Sequence, residues 1–131
     1  MDFEPQFLTL EEVLKIHAYQ VETFGGDPGV LNMGLLESAL AQPRSGFGGQ
    51  YFHPDLASMA AAYLFHIAGN HAFADGNKRT AAHVAIVFLG LNGVDVDYPV
   101  DEAERITVGA ASGVVKKEEV IEFVRKLIEG T

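Results

Sequence analysis

Apolar residues recur at helical spacing along most of the chain, and glycines or prolines separate one such stretch from the next. The first stretch begins at Thr9 with TLEE, the pattern of a capping box, and stops at Gly25 and Gly26. A second, shorter helix is predicted from about Met33 to Gln42, between an asparagine suited to cap it and a proline that ends it. The first third of the chain is therefore expected to form two helices.

In the middle of the chain, a segment rich in glycine and aromatic residues is followed by an alanine-rich segment with apolar residues at helical spacing. The stretch SGFGGQYF, residues 45–52, predicts a loop or a small hairpin. Pro54 suits the first turn of a third helix, where its missing N–H would have no partner anyway. Apolar residues then follow at helical spacing as far as Gly69 and Asn70, which are expected to break this helix.

A fourth helix is predicted from Asn77 or Lys78 to Leu91, before an Asn-Gly pair. Apolar residues occupy all of its faces, so we expect it to be central and buried. The alternation VDVDYPV that follows is typical of a strand, but Pro99 and the short length favour an extended connector.

Two more helices are predicted near 101–111 and 116–129, the second capped by residues just before Lys116. The sequence shows neither an internal repeat nor a linker, so residues 1–131 are expected to form a single domain. The predicted fold class is all-α, with about six helices around the buried helix that begins near residue 78. A small β-hairpin flap near 46–53 remains an option.

Composition narrows the range of partners. The chain has 9 lysines and arginines and 18 acidic residues, so its formal net charge is -9. A negative charge of this size repels phosphate backbones and anionic lipids. Neither nucleic acid nor a membrane is expected as a main partner. Cysteine is absent, so disulfides and thiolate metal sites are excluded. The acidic start MDFEPQ lacks the features of a signal peptide, and we expect a cytoplasmic protein.

The stretch HAFADGNKRTAA, residues 71–82, gathers chemically versatile side chains ahead of the fourth helix. Gly76 can adopt positive φ and bring backbone close to a ligand, while the helix start presents unpaired amides and the positive end of its dipole. Lys78 and Arg79 fall in the first helical turn, where the dipole disfavours cations. This placement suggests a bound polyanion such as a phosphate chain.

Three further residues complete this hypothesis. Asp75 can hold a Mg²⁺ ion that bridges phosphate oxygens, since hard cations prefer carboxylate ligands. Asn77 can cap the helix or donate its amide to phosphate. His71 can accept the proton of a hydroxyl at physiological pH. Together they describe group transfer from a Mg-nucleotide to a hydroxyl, a reaction that depends on positioning and charge neutralisation.

Each of these residues also has a structural interpretation. A histidine beside an apolar helix is more often a satisfied core or surface group than a base. Asp75 and Asn77 suit a helix entry, and Lys78 with Arg79 suits a solvated face. The other histidines are interpreted as structural, and they are His17, His53, His66 and His83.

The whole motif resembles that of the Doc ("death on curing") toxins of the Fic fold. The resemblance covers roughly residues 9–127, because GGDPGVLNMGLLESAL at 25–40, FLGLNGVDV at 88–96 and TVGAASG at 107–113 also read like that family. It implies that His71 is the general base and that Phe73 is a buried anchor for the loop. It further implies a Mg²⁺ ligand and phosphate-gripping residues, namely Asp75 for the metal and Gly76, Asn77, Lys78 and Arg79 for the nucleotide.

This chain departs from the Fic pattern HPFx[DE]GNGRxxR of AMP-transferring enzymes. Ala72 replaces the proline, Lys78 the second glycine and Ala82 the second arginine. Doc proteins with the lysine are understood to bind ATP in reversed orientation and to transfer its γ-phosphate to a threonine of elongation factor Tu. The resemblance therefore implies a protein kinase that uses Mg²⁺ and ATP, with AMP transfer as the alternative enzyme and a silent nucleotide-binding module as the non-enzymatic one.

The resemblance also implies how such a protein is restrained. Many Fic proteins carry an inhibitory helix with the pattern [ST]xxxE[GN], and no such string occurs in this sequence. Inhibition is then expected from a separate Phd-like antitoxin that lays a helix in a groove beside the site. The loop SGFGGQYF is either a flap that aligns a target segment or a plain surface loop.

Overall fold

The computed structural model of the protein describes residues 4–130. This part contains six helices and one two-stranded sheet: α1 Leu10–Phe24, α2 Met33–Ala41, β1 Gly46–Phe47, β2 Gln50–Tyr51, α3 Leu56–Asn70, α4 Asn77–Leu91, α5 Val100–Ser112 and α6 Lys117–Glu129. The predicted all-α class, the number of helices and the small hairpin are confirmed. Residues 1–3 of the acidic N-terminal segment lie outside the described residues.

The first two helices begin at the predicted caps. The Thr9 hydroxyl accepts from the Glu12 amide at 3.1 Å, and the Glu12 carboxylate accepts from the Thr9 amide at 2.8 Å, which completes the capping box. The Asn32 side chain accepts from the Leu35 amide at 2.9 Å and starts α2. Helix α1 ends where Gly25 adopts a φ of 89°.

Both ends of α3 differ from the prediction. Pro54 precedes the helix instead of occupying its first turn, because Asp55 is the N-cap and accepts from the Ser58 amide at 2.8 Å. Gly69 and Asn70 do not break the helix. The Asn70 side chain donates to the Leu35 carbonyl at 3.0 Å and holds the last turn against α2. The helix ends at His71, which adopts a left-handed φ of 49°.

The centre of the bundle is α3 rather than α4 alone. Every residue from Ala57 to Leu64 is buried, and α3 packs against α2, α4, α5 and α6. Helix α4 packs against α1, α3 and α5, but its Val87 side chain is 38% exposed. The prediction of α4 as the central helix was wrong in this respect, because alanines let neighbouring helices surround α3 on all sides while one face of α4 meets solvent.

The remaining elements frame the bundle. In the hairpin Gly46 pairs with Tyr51 and Phe47 with Gln50. Residues 94–99 form the predicted extended connector without strand pairing. The cap of α6 is Lys116 itself, whose amide donates to the Glu119 carboxylate at 3.2 Å, so the expected cap before the lysine pair is wrong. In the described part no helix has the length and apolar character needed to cross a membrane.

Candidate active site

The motif loop between α3 and α4 is pinned to the segment that connects α1 and α2. The amides of Leu31 and Asn32 both donate to the Ala72 carbonyl, at 2.8 and 3.1 Å. The Ala74 amide donates to the Gly29 carbonyl at 2.9 Å. An isolated antiparallel bridge joins these segments at their centre. The loop conformation is therefore fixed by backbone hydrogen bonds to residues forty or more positions away in sequence.

Phe73 lies at the centre of this arrangement. Its side chain is 1% exposed and stacks on the ring of His17, with the centroids 3.7 Å apart and the planes 9° from parallel. The Nε2–H of His17 donates to the Asp75 carbonyl at 2.8 Å. One side chain of α1 thus holds the loop through both a ring contact and a hydrogen bond.

Asn77 holds the loop from its other end. Its Oδ1 accepts from the Phe73 amide at 3.0 Å, and its Nδ2 donates to the Phe73 carbonyl at 2.9 Å. The side chain therefore does not cap α4, and one of the two N–H groups on its Nδ2 is used within the loop. Its backbone amide, however, is one of those that open α4.

The start of α4 is an uncapped helix N-terminus. The N-cap is Gly76, with φ 80° and no side chain to accept from the helix. The Thr80 amide donates to the Gly76 carbonyl at 3.0 Å, but the amides of residues 77–79 have no partner within residues 4–130. These three donors, together with the helix dipole, form a site suited to an anion.

A cavity of about 290 Å³ opens at these amides. Its wall includes Asp75, Gly76, Asn77, Lys78 and Arg79, so the structure brings five of the predicted site residues together. A second cavity, of about 410 Å³, lies between α4 and α5 and shares Phe24, Lys78 and Arg79 with the first. The Arg79 guanidinium lies over the Phe24 ring at 3.8 Å, at the boundary of the two cavities.

His71 lines neither of these cavities. The side chain is exposed, and its Nε2 lies 3.3 Å from the Ala111 carbonyl near the end of α5. Because a carbonyl can only accept, Nε2 carries the proton in this contact, and the lone pair of a neutral ring is on Nδ1. The sequence suggested that His71 overlooks the cavity at Asp75, and the structure does not show this contact.

The oxygens of Asp75 bear on whether this loop fits a magnesium ion. Oδ2 accepts from the Asp27 amide at 2.7 Å, whereas Oδ1 has no hydrogen-bond partner among the described residues. In residues 4–130, no group of three or more acidic or histidine side chains is arranged to hold a metal. The loop offers one free carboxylate oxygen, so it fits a Mg²⁺ ion only if that ion would take its remaining oxygen ligands from outside the protein.

Sequence reasoning missed two residues of α1 that reach this site. His17 was interpreted as structural with no stated partner, and Gln20, which lines the smaller cavity, was not singled out. The signal lay in the spacing of His17, Gln20, Val21 and Phe24, which places them on one face of α1. Glycine at position 76 fits against the same face, since a Cβ there would lie 3.3 Å from Val21 Cγ2.

Comparison with known proteins agrees with this geometry. A model of the Fic/DOC family matches residues 7–89, more than half of the chain, including the whole motif. Toxin Doc from Mycolicibacterium smegmatis is 43% identical over 101 residues, 76% of this chain and 75% of the relative. Protein kinase doc from Escherichia phage P1 is 36% identical over 118 residues, 89% of this chain and 91% of the relative.

The chain belongs to the Fic/DOC family. The resemblance drawn from the motif and its flanks is thereby confirmed. Because the match to the phage relative covers 89% of this chain, the similarity extends past the family model and includes α5.

Proposed function

We propose that this Fic/DOC protein is a toxin with protein kinase activity that transfers the γ-phosphoryl group of Mg-ATP to a threonine or serine hydroxyl of elongation factor Tu. The observation that carries the proposal is the meeting of Lys78, Arg79 and three unpaired amides at one cavity, in a chain whose net charge is -9. Such a local excess of positive charge suits a polyphosphate. The phage relative is named a protein kinase, which supports phosphoryl transfer.

Each side of the cavity has a task in this proposal. Asp75 would hold Mg²⁺ through its unpaired Oδ1, and the ion would supply positive charge that offsets the charge of the phosphates. Lys78, Arg79 and the amides of residues 77–79 hold the phosphates. Gly76 leaves the backbone open to the ligand because it has no side chain.

His71 is proposed as the general base. The acceptor hydroxyl oxygen attacks the γ-phosphorus, the bond from that phosphorus to the β–γ bridging oxygen breaks, and ADP leaves. The hydroxyl proton passes to Nδ1 of His71, while the Ala111 carbonyl fixes the proton on Nε2. Because His71 lines neither cavity, this proposal needs the γ-phosphate to project out of the cavity toward the end of α5.

AMP transfer is the alternative reaction. It would use the same base and metal ligand but would release pyrophosphate. Two residues disfavour it: the Lys78 side chain takes space that a glycine leaves for phosphate, and Ala82 supplies no second cation. The preference for phosphoryl transfer over AMP transfer therefore rests on the residues at 78 and 82.

The deciding experiment uses ATP labelled at either the α or the γ position, with purified elongation factor Tu as acceptor. We expect transfer of the γ label only, its loss in His71→Ala, and a marked reduction in Lys78→Ala. Lys126→Ala, on the distant last turn of α6, serves as the matched control and should keep full activity. Transfer of the α label alone would overturn the kinase assignment.

A silent binding module is the remaining alternative. It would keep the fold and the nucleotide cavity but transfer nothing. Growth arrest on expression separates the two functions, because arrest caused by catalysis disappears in His71→Ala. Arrest that survives this substitution would favour the binding module.

A Phd-like antitoxin is proposed as the inhibitor, with the cavity of about 410 Å³ as its groove. Its rim carries exposed apolar side chains, with Phe24 at 54%, Val100 at 60% and Val108 at 44% exposure. Lys78 and Arg79 border the same cavity, so an amphipathic helix with acidic residues is complementary to it. We expect Val108→Glu to weaken binding of the product of a small neighbouring reading frame. Val114 is 75% exposed and lies outside the cavity, so Val114→Glu should leave this binding unchanged.

A further inference from the structure

Gln20 is a buried amide in the wall of the smaller cavity. The residue is 2% exposed, and its Oε1 is enclosed without any hydrogen-bond partner. No hydrogen bond of its side chain to another described residue is present, although Gly26, Ala74 and Asp75 line the same cavity. An unpaired buried amide is destabilising, so its retention beside a ligand cavity calls for an explanation.

We propose that Gln20 is a nucleotide-binding residue that gains its hydrogen bonds only when Mg-ATP occupies the cavity. The amide N–H groups on Nε2, which is not enclosed as Oε1 is, donate to phosphate oxygens of the nucleotide. Gln20 adds a neutral donor from α1 to the cations and amides that α4 supplies. The inference rests on the proposed function, because it takes the polyphosphate as the ligand of this cavity.

The position of Gln20 on α1 supports this role. It follows His17 by three residues, so the two side chains share one face of the helix. His17 is held by Phe73 and by the Asp75 carbonyl, which fixes the orientation of that face toward the loop. The amide is thus placed by the same contacts that place Asp75.

A second buried side chain supplies the matched control. The Oγ1 of Thr80 is also enclosed without a partner, and this residue is 0% exposed. Thr80 lines neither of the two cavities. Removal of either polar group relieves an unpaired buried atom, but only the removal at Gln20 should affect the ligand.

The test compares Gln20→Leu with Thr80→Val by thermal unfolding without ligand and by calorimetric titration with Mg-ATP. We expect both variants to unfold at or above the temperature of the unaltered protein. We expect Gln20→Leu to bind Mg-ATP about tenfold more weakly, as for loss of a hydrogen bond to a charged group, while Thr80→Val binds normally. Gln20→Glu should weaken binding further, because its carboxylate repels phosphate.

The outcomes separate this inference from the proposed function. If the unaltered protein binds no Mg-ATP, the proposed function fails and the inference fails with it. If the unaltered protein binds and Gln20→Leu binds equally well, the inference alone fails. Unfolding of Gln20→Leu at a lower temperature with unchanged binding would identify a purely structural residue. Tighter binding by Gln20→Glu would place the amide against the metal and overturn the phosphate contact.

Discussion

The ring of His17 lies flat against the ring of Phe73, 3.7 Å between centroids, while its Nε2–H donates to the Asp75 carbonyl two residues further on. Both contacts come from one side chain that is 2% exposed. Helix α1 therefore positions the motif loop, and the placement of the Asp75 carboxylate depends on a residue 58 positions earlier in the chain.

His17→Ala tests this support. The substitution removes the stacked ring and the hydrogen bond, and we expect the free energy of unfolding to fall by about 2 kcal/mol. Urea unfolding measures the change. Tyr19→Ala is the matched control on the same helix, since Tyr19 is 63% exposed, and its effect should stay within about 0.5 kcal/mol. Equal effects of the two substitutions would contradict the supporting role of His17.

Two adjacent glycines allow backbone strain to be separated from contact with the site. Gly25 and Gly26 both have positive φ, at 89° and 123°, so alanine is strained at either position. A Cβ on Gly26 would lie 2.8 Å from Cβ of Asp75, whereas one on Gly25 would meet nothing within 4 Å. We expect both alanine variants to lose stability, and only Gly26→Ala to shift Asp75 and weaken binding of Mg-ATP several-fold.

Stability is measured by urea unfolding and binding by calorimetric titration. A Gly25→Ala variant that binds as weakly as Gly26→Ala would show that backbone strain, rather than contact with Asp75, controls the site.

The sequence was sufficient for features that depend on neighbours in the chain. The capping box at Thr9 and the glycine entry to α4 are local, and both occur as predicted. The C-terminal end of α3 was misjudged because a distant contact, from Asn70 to the Leu35 carbonyl, extends the helix past Gly69. Local propensity carries no information about that contact.

The site shows the same division. The clustering of residues 75–79 at one cavity follows from a tight turn into a helix, which the sequence reveals. The hydrogen bonds between the Asn77 side chain and the Phe73 backbone depend on the exact path of the loop. The orientation of the His71 ring toward the Ala111 carbonyl depends on it as well. His17 and Gln20 reach the site from another helix, so only the tertiary arrangement identifies them.

Asn77→Ala tests the cross-link within the loop. The substitution leaves the Phe73 amide and carbonyl without their partners, and we expect a loss of about 2 kcal/mol in the free energy of unfolding. Asn70→Ala removes one hydrogen bond on an exposed face and should cost less than half as much. Urea unfolding again measures both. A smaller effect at Asn77 than at Asn70 would show that backbone bonds alone fix the loop.

The pair His66 and Lys117 makes stability depend on pH. The Lys117 ammonium donates to His66 Nε2 at 2.9 Å, which requires a neutral imidazole. Burial, and then the positive charges of Lys117 and His53, lower the pKa of His66 from 6.5 to about 4. As pH falls from about 6.5 to about 4, His66 becomes protonated in the unfolded chain but stays neutral in the folded protein. The free energy of unfolding should therefore fall across this window.

Thermal or urea unfolding at several pH values between 4 and 6.5 measures that decline. His66→Asn should flatten it, leaving the smaller contribution of His53, whose pKa is also lowered, first by burial and then by Lys117. Lys117→Met should flatten it in part, because the nearest positive charge is gone. Lys126→Met removes an exposed cation from the last turn of the same helix and should leave the slope unchanged. A slope that survives His66→Asn in full would assign the pH dependence to other groups.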